Sequence, residues 1–350
     1  MLVANEFDFR RASILAENIQ KWGCSAVAVS RGDTARFRRL PELFDIVAAD
    51  VPCSGEGMMR KDAQACAQWS ERLVDECAAR QWEIVENLWE TVAPGGFFIY
   101  STCTFNTREN ERIADRMIAD FGAEPVAIHL PEDSGIVVDG QGRMRFLPTR
   151  LRGEGLFMAI LRKPGEWTPA LVRHTASTPR REKKKSRNRG SVAEPQPGGR
   201  PSSKAPDLAS LCAPWLRGDY DFLLRGEALY ARPAAFSHIY DLLDSHLDLL
   251  LPGLEVAALK GRTAVPLQPL ALTTALNSTD SPFPTAEVDL DLALSYLRRE
   301  SLPGFPDSPR GPLLLTLRPR DLASPLPLGF VNNLGSRANN LYPTPWRILH

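Results

Sequence analysis

The stretch that decides the fold is FDIVAADVPCSGEGM, residues 44–58. It begins with an apolar run, Phe44–Ala49, that ends on Asp50 and is followed by a loop containing Gly55 and Gly57. A short apolar run before a glycine-containing loop is typical of a buried strand whose carboxyl end faces a ligand in an open α/β sheet. Glycines in such a loop allow the backbone to approach a bound molecule closely.

The residues on either side alternate between strand and helix patterns. Before the central stretch we predict a strand at Leu2–Asn5, a helix with apolar positions at Ala12, Leu15, Ile19 and Trp22 that Gly23 ends, and a strand at Ala26–Val29. After it we predict a helix at Leu73–Val92, a turn at Pro94-Gly95-Gly96, a strand at Phe97–Tyr100, a helix capped by Asn106 and Glu109, and two closing strands within Phe146–Leu161. The alternation predicts an α/β fold with a mostly parallel sheet and helices on both faces.

Composition divides the chain into three parts. Residues 1–163 carry the α/β pattern, and residues 164–206 are rich in proline, glycine, serine and basic residues. That middle segment is predicted to be a solvated, disordered linker, and it is compatible with non-specific contact to phosphate. Residues 207–350 form a second globular region that mixes strand and helix patterns. Its predicted strands lie at Phe222–Arg225, Leu254–Leu259 and Leu313–Leu317, and its predicted helices at Ala235–Leu250 and Leu290–Arg298.

The overall composition indicates a soluble globular protein. Of 350 residues, 43% are hydrophobic and 24% are charged, and the net charge of zero gives no global basic signal for nucleic acid. We expect no membrane span and no signal peptide. The six cysteines form no Cys-x-x-Cys pair, so we expect no zinc site or redox dithiol, and a reduced cytoplasmic location.

A second cysteine lies in a comparable position. The segment Tyr100-Ser101-Thr102-Cys103-Thr104 directly follows a predicted strand, as the segment containing Cys53 does. Two such loops at one edge of a sheet predict a site with two thiols. A single cysteine is more often a small buried hydrophobic residue, and that interpretation is kept for the remaining four, Cys24, Cys66, Cys77 and Cys212.

These two segments carry a family resemblance. DVPCSGEGMMRKD, residues 50–62, and YSTCTFNTRENE, residues 100–111, resemble the two cysteine motifs of the Sun family of RNA cytosine-5 methyltransferases. GFVNNLGSRANNLYPTPWRI, residues 329–348, is similar to the PUA-like RNA-binding region of members that act on ribosomal RNA. The resemblance implies a Rossmann-like methyltransferase sheet that uses S-adenosyl-L-methionine, with a smaller α+β PUA-like domain after it.

The resemblance also implies a covalent mechanism. Carbon 5 of cytosine is a weak nucleophile until a thiolate adds to carbon 6. In the family the Thr-Cys thiol attacks and the Pro-Cys thiol assists release, which assigns attack to Cys103 and release to Cys53. The rival assignment, taken from DNA cytosine methyltransferases, makes Cys53 the attacking thiol. The presence of a Thr-Cys motif favours the RNA assignment.

Three acids match cofactor positions of the family. By resemblance, Glu6 would take the ribose hydroxyls, Asp33 would approach the adenine, and Asp50 would lie between the methionine part of the cofactor and the cytosine. An acid after a strand is also a common helix cap or turn former.

The C-terminal motif implies RNA contacts through Arg337, Asn340, Tyr342 and Arg347. Tyr342 or Trp346 would stack on a base and Arg337 or Arg347 would bind phosphate, or else Tyr342 and Trp346 would close the small C-terminal core. The expected partner is 16S ribosomal RNA or the small ribosomal subunit, with transfer RNA as the alternative substrate. We expect a monomer without a metal.

One family feature is missing from the sequence. Family members have a strand and a Gly-rich loop, near a CAAPGGK pattern, before the strand that corresponds to Leu2–Asn5, and nothing here matches it. That central strand would lie between Leu2–Asn5 and Phe44–Ala49. We therefore interpret the sequence as N-terminally truncated and expect weak cofactor binding, no methyl transfer and poor solubility. The competing hypothesis is a non-catalytic RNA-binding protein.

Overall fold

A computed structural model describes residues 1–169, 210–261, 263–277 and 282–349. Its helices are α1 Phe9–Trp22, α2 Ala63–Gln68, α3 Glu71–Trp89, α4 Glu111–Phe121, α5 Ser237–His246, α6 Gln268–Leu272 and α7 Leu290–Leu297. Its strands are β1 Leu2–Glu6, β2 Val27–Arg31, β3 Phe44–Asp50, β4 Val92–Thr102, β5 Glu124–Pro125, β6 Val137–Val138, β7 Met144–Phe146, β8 Leu156–Arg162, β9 Tyr220–Arg225, β10 Ala228–Pro233, β11 Asp248–Leu251, β12 Leu254–Lys260, β13 Thr263–Pro266, β14 Thr285–Val288, β15 Leu302–Pro303, β16 Gly311–Leu317, β17 Leu326–Asn333 and β18 Arg337–Asn340. The α/β class predicted from the sequence is confirmed.

The chain divides into two compact units at a boundary that differs from the predicted one. Residues 33–169 belong to one unit, whereas Met1–Gly32 belong with the described residues after position 209. Hydrogen bonds explain this grouping, because β2 pairs antiparallel with β11 and the Tyr240 hydroxyl donates to the carbonyl of Val27. Most of the predicted basic linker lies outside the described residues.

The unit of residues 33–169 is built on one six-stranded sheet. Its order is β3-β4-β8-β7-β6, with β5 paired to β8. Only β3 and β4 run parallel in this sheet, and β8 returns antiparallel to β4. The expected mostly parallel arrangement is therefore wrong for this unit. The parallel pair nevertheless brings the carboxyl ends of β3 and β4 to the same edge, and both cysteine loops begin there.

The predicted turn at Pro94-Gly95-Gly96 is also wrong, because β4 continues through it. Phe44 pairs with Val92 and Ile46 pairs with Phe97, so β4 carries extra residues between these two pairs. This is a bulge, and Gly95 accommodates it with a left-handed φ of 72°. Because of the bulge, β4 can begin beside the end of α3 and still extend to Thr102, so that Cys103 lies at its carboxyl end.

The core of this unit contains a stack of three aromatic rings. Trp82 and Trp89 from α3 lie on either side of Phe121 from α4, with ring centroids 5.2 and 5.3 Å apart and ring planes within 14° of parallel. Arg116 adds a cation over the Trp82 ring at 3.7 Å. Trp89 also packs on Phe98 of β4. The stack fixes α3 and α4 against the strand that leads to Cys103.

Both strands next to the predicted missing strand have an open edge within the described part of the chain. β1 pairs only with β2, and β3 pairs only with β4. Ile46 on β3 is 60% exposed, and its partner Phe97 on β4 is 36% exposed. An open edge with exposed apolar side chains favours association with other strands.

The other unit contains three sheets. They are ordered β1-β2-β11, β13-β12-β10-β9 and β14-β16-β17-β18-β15. The predicted helix at Ala235–Leu250 is shorter, because α5 ends at His246 and β11 begins at Asp248 to pair with β2. Within the ranges that the structure describes, no helix has the length and apolar character required to cross a membrane.

Candidate active site

Two cysteines meet where β3 and β4 end. Cys53 lies three residues after β3, and Cys103 directly follows β4. Their Sγ atoms are 2.9 Å apart in the reduced state, and both residues are partly buried. The structure therefore brings together the two thiols that the sequence predicted at one edge of the sheet.

A backbone contact joins the two cysteine loops. The N–H of Gly57 donates to the carbonyl of Cys103 over 2.9 Å. A Cβ atom on Gly57 would lie 2.6 Å from that carbonyl oxygen and 2.8 Å from the carbonyl oxygen of Glu154. No ordinary side chain fits there without backbone movement, so glycine is required for the close approach of the two loops.

Glu56 provides a second connection, which the sequence argument missed. Its Oε2 accepts hydrogen bonds from the backbone N–H groups of Phe105 and Asn106, at 2.8 and 2.9 Å. Burial alone acts to raise the pKa of Glu56, but these hydrogen bonds, together with those from the side chains of Thr104 and Asn106, hold it below its usual value. Glu56 is therefore an anion that anchors one loop to the other.

Glu109 and Gln81 form a third connection, also missed. Glu109 is completely buried and accepts from the N–H of Ser54 at 2.9 Å and from Nε2 of Gln81 at 2.8 Å. The predicted cap is present in part, because the N–H of Glu109 donates to Asn106 Oδ1, but α4 itself begins only at Glu111. The spacing of Asn106 and Glu109 predicted the cap, but it did not indicate the hydrogen bond between Glu109 and Ser54, which lies 55 residues away.

The two thiols differ in acidity because they share one proton. A hydrogen bond from the Cys53 thiol lowers the pKa of Cys103 from 9.0 to about 7. The same hydrogen bond, reinforced by burial, raises the pKa of Cys53 well above its usual range. At neutral pH, Cys103 is partly thiolate while Cys53 remains a protonated donor, and the thiolate is the nucleophilic form.

Asp50 lies at the end of β3 beside these thiols. It is exposed, and it accepts a hydrogen bond from the hydroxyl of Ser101 at 3.2 Å. Its charge acts to raise the pKa of Cys103, against the larger effect of Cys53. Asp50 thus lies beside the two thiols, and its predicted place between the cofactor and the cytosine stays a prediction.

The other two predicted cofactor acids have local partners. Asp33 caps the 3-10 helix at Thr34–Arg39 by accepting from the N–H of Ala35 at 2.8 Å. Glu6 forms an ion pair with Arg11 at 2.6 Å. Glu6 belongs to the unit that contains the chain start, and Asp33 and Asp50 belong to the other unit. Their proposed contacts with adenine and ribose stay predictions.

The predicted RNA-contacting residues of the tail separate into two kinds. Tyr342 is 8% exposed and packs edge-on against Tyr296 and Trp346, which places it in the core rather than on the surface. Asn340 accepts from the N–H of Tyr342 and donates to the carbonyl of Tyr296. The stacking interpretation of Tyr342 is therefore corrected in favour of core closure.

The two arginines of the tail remain available for a surface role. Arg337 on β18 and Arg347 near the end of the described chain are both exposed. Their predicted phosphate contacts stay a prediction.

Comparison with known proteins finds a family match within the first half of the chain. Residues 1–162 match the model of the 16S rRNA methyltransferase RsmB/F family. Residues 1–162 are therefore similar to the RsmB/F family. This confirms the Sun-family resemblance inferred from the two cysteine motifs, both of which lie inside the matched range.

Similar RsmB/F relatives are bacterial. Ribosomal RNA small subunit methyltransferase F of Aliivibrio fischeri is 38% identical over 177 residues, which are 49% of this chain and 37% of the relative. The protein of that name from Serratia proteamaculans is 37% identical over 167 residues, 46% of this chain and 35% of the relative. The matched region thus spans little more than a third of these relatives.

Among solved structures, a methyltransferase homologue from Pyrococcus horikoshii is 22% identical. The likeness covers 46% of this chain and 52% of that one, with a TM-score of 0.39.

Proposed function

We propose that the pair of cysteines is the catalytic site of an RNA cytosine-5 methyltransferase in which Cys103 is the nucleophile. The observation that carries the proposal is the pair of sulfur atoms 2.9 Å apart in a region that matches the RsmB/F family. A thiol with a pKa of about 7 beside a protonated thiol suits a reaction in which one sulfur must attack a ring and later leave it.

The reaction starts with the thiolate of Cys103. Its sulfur forms a bond to carbon 6 of the cytosine, and carbon 5 becomes nucleophilic. Carbon 5 then takes a methyl group from a sulfonium donor, which would leave as a neutral thioether. A base removes the proton from carbon 5, and the electron pair of that C–H bond restores the ring double bond as the sulfur–carbon 6 bond breaks. The net change replaces a proton at carbon 5 by a methyl group.

Cys53 assists the last step. Its raised pKa keeps it protonated, so its S–H can donate to the sulfur of Cys103 as that sulfur leaves the ring as a thiolate. The hydrogen bond that favours the thiolate before attack therefore also favours its departure. This supports release for Cys53 and attack for Cys103, rather than the reverse assignment.

The proposed methyl donor is S-adenosyl-L-methionine, which supplies an electrophilic methyl group on a sulfonium centre. Asp50 fits such a group, because it presents an exposed carboxylate beside Cys103 and a carboxylate attracts a cation. Asp33 and Glu6 are the further proposed cofactor residues, by their family positions.

The proposed substrate is 16S ribosomal RNA, free or in the small ribosomal subunit. The names of the relatives, which describe small-subunit ribosomal RNA methyltransferases, support ribosomal over transfer RNA. We further propose that residues 207–350 bind RNA as a PUA-like domain, that the chain is a monomer, and that it acts in the cytoplasm.

The proposal is tested by trapping the nucleophile. RNA that contains 5-azacytosine retains a thiol added at carbon 6, so the chain should form a covalent protein–RNA adduct that survives denaturing electrophoresis. Cys103→Ala should abolish the adduct. Cys66→Ala is the matched control, because Cys66 is an exposed cysteine on α2. An adduct that persists in Cys103→Ala and disappears in Cys53→Ala would transfer the nucleophilic role to Cys53.

A second experiment separates the enzyme from the non-catalytic RNA-binding protein. Only the enzyme needs the methyl donor. Calorimetric titration of the chain with S-adenosyl-L-methionine, followed by transfer of a labelled methyl group to 16S ribosomal RNA, therefore distinguishes the two. An adduct without donor binding would agree with a methyltransferase site and with the weak cofactor binding expected from the missing Gly-rich loop. RNA binding without an adduct would favour the non-catalytic protein.

A further inference from the structure

Two adjacent residues in front of α4, Glu109 and Asn110, are completely buried. A buried carboxylate or amide is stable only where hydrogen bonds replace the water it has lost. The groups that supply those hydrogen bonds therefore indicate what each side chain holds in place. For this pair, they include Ser54, Thr102 and Thr104, which directly flank the two cysteines.

Glu109 holds both neighbours of Cys53. Its Oε2 accepts from the N–H of Ser54 at 2.9 Å, and its Oε1 accepts from the Ser54 hydroxyl. Its Oε2 also accepts from Nε2 of Gln81 at 2.8 Å, and the same Nε2 donates to the carbonyl of Pro52 at 2.9 Å. The backbone on each side of Cys53 is therefore fixed to one carboxylate, directly or through Gln81.

Asn110 holds both neighbours of Cys103. Its Oδ1 accepts from the hydroxyl of Thr102 at 2.6 Å, and its Nδ2 donates to the carbonyl of Thr104 at 3.0 Å. Thr102 and Thr104 are themselves completely buried. The Ser54 and Thr104 hydroxyls, 3.0 Å apart, connect the two sets of hydrogen bonds.

We propose that Glu109 and Asn110 are positioning residues that jointly hold the two cysteine loops in register, so that the thiol of Cys53 meets the sulfur of Cys103. Because the two residues are consecutive, a single peptide unit sets the relative position of the loops. The catalytic value of this arrangement rests on the proposed function. The relative position of the two sulfurs affects the pKa of Cys103, so it can be tested without measuring methyl transfer.

A competing role for Glu109 is that of a simple negative charge. Its charge acts to raise the pKa of Cys103, although Cys53 has the larger, opposite effect. If Glu109 acted only as a charge, removing that charge would lower the pKa of Cys103. If Glu109 positions Cys53, the hydrogen bond to Cys103 weakens and the pKa rises. The two roles predict shifts of opposite sign.

The test is Glu109→Gln in the full chain. Alkylation of Cys103 by iodoacetamide is followed from pH 5.5 to 10, and the modified peptide is quantified by mass spectrometry. The native midpoint is expected at about pH 7. The variant should have its midpoint at least about one pH unit higher, which slows alkylation at pH 7 about fivefold through the smaller thiolate fraction.

The matched control is Asp115→Asn, which removes an exposed carboxylate of α4 that pairs with Arg143. Its midpoint should equal that of the native chain. An unchanged or lowered midpoint in Glu109→Gln, with native circular dichroism, overturns the proposal.

A second variant covers the case in which Glu109→Gln does not fold. Thr102→Val keeps the shape of the side chain, removes the hydroxyl that donates to Asn110, and changes no charge. A raised midpoint in this variant supports the proposal, and an unchanged midpoint overturns it. Absence of an RNA adduct would contradict the proposed function, but it would not affect the alkylation results, which test the positioning of the two sulfurs directly.

Discussion

A shared proton gives Cys53 and Cys103 opposite properties, although the two residues are chemically identical. The thiol that donates becomes harder to ionise, and the thiol that accepts becomes easier to ionise. The sequence placed both at one edge of the sheet, because each follows a predicted strand. The resemblance assigned attack to Cys103, but the sequence did not show how the pKa of that thiol is lowered, since this depends on a 2.9 Å contact between residues 50 positions apart.

Cys53→Ala should therefore make Cys103 less acidic. Loss of the donated hydrogen bond removes the main cause of the lowered pKa, which should rise from about 7 towards 9.0. A lowered pKa means that the thiolate is present above about pH 7 and is lost as the pH falls below it. Iodoacetamide alkylation of Cys103 at pH 7 should slow about tenfold or more, with Cys66→Ala as control. An unchanged rate would show that Cys53 does not donate to Cys103.

Asp50→Asn should have the opposite effect. The carboxylate of Asp50 acts to raise the pKa of Cys103, so its removal should lower that pKa and increase thiolate below pH 7. Alkylation of Cys103 should be faster than in the native chain at pH 6 and equal to it at pH 9. A slower reaction at pH 6 would mean that Asp50 favours the thiolate.

At the level of elements, apolar periodicity predicted most helices and strands near their observed positions. Each of the two exceptions has an identifiable cause. Pro94-Gly95-Gly96 is typical of a turn, yet pairing with β3 keeps these residues in a bulged strand. The predicted helix at Ala235–Leu250 ends early because pairing of β11 with β2 outweighs its helical pattern. Both exceptions depend on partners that are distant in sequence.

Gly57→Ala tests the contact between the cysteine loops. The added Cβ would lie 2.6 Å from the Cys103 carbonyl oxygen, so one loop must move. We expect the free energy of unfolding to fall by about 1–3 kcal/mol and the midpoint of Cys103 alkylation to rise. Gly140→Ala is the control, because nothing lies within 4 Å of a Cβ at that position. Equal urea midpoints for both variants would contradict the close approach.

Ile46→Thr tests the open edge of β3. Ile46 is 60% exposed beside Phe97, so its replacement removes apolar surface that favours association and little that stabilises the core. At concentrations where the native chain aggregates, light scattering should show less aggregation of the variant. The free energy of unfolding, measured by thermal denaturation, should change by less than about 1 kcal/mol. Scattering equal to that of the native chain would exclude this edge as the site of association.

At the level of the whole molecule, the predicted and observed divisions differ at the start of the chain. Composition marks a boundary only where the type of residue changes, and no such change occurs at Gly32. Met1–Gly32 group with the later unit through strand pairing, which composition does not reveal. The role of Tyr342 in the tail was also ambiguous from the sequence. An aromatic residue near arginines can either pack in a core or stack on RNA, and only its contacts distant in sequence distinguish the two.

The tail can be tested by separating its arginines from its aromatic core. Arg337→Gln and Arg347→Gln together should weaken RNA binding and reduce the slope of log affinity against log salt by about 1 per arginine, with unchanged stability. Tyr342→Ala should instead lower the free energy of unfolding by about 3 kcal/mol, because its ring is buried between Tyr296 and Trp346. A salt slope unaffected by the arginine changes would assign this region a structural role.

The stack of Trp82, Phe121 and Trp89 has an optical consequence. Both indole rings lie in an apolar, nearly fixed environment, at 7% and 4% exposure, whereas Trp22 is 79% exposed. The two buried chromophores should emit at shorter wavelength and give a strong near-ultraviolet dichroic band, and both signals vanish when α3 and α4 separate. The unit that carries Cys53 and Cys103 thus contributes its own intrinsic optical signal, beside that of the buried Trp215 and Trp346 of the other unit.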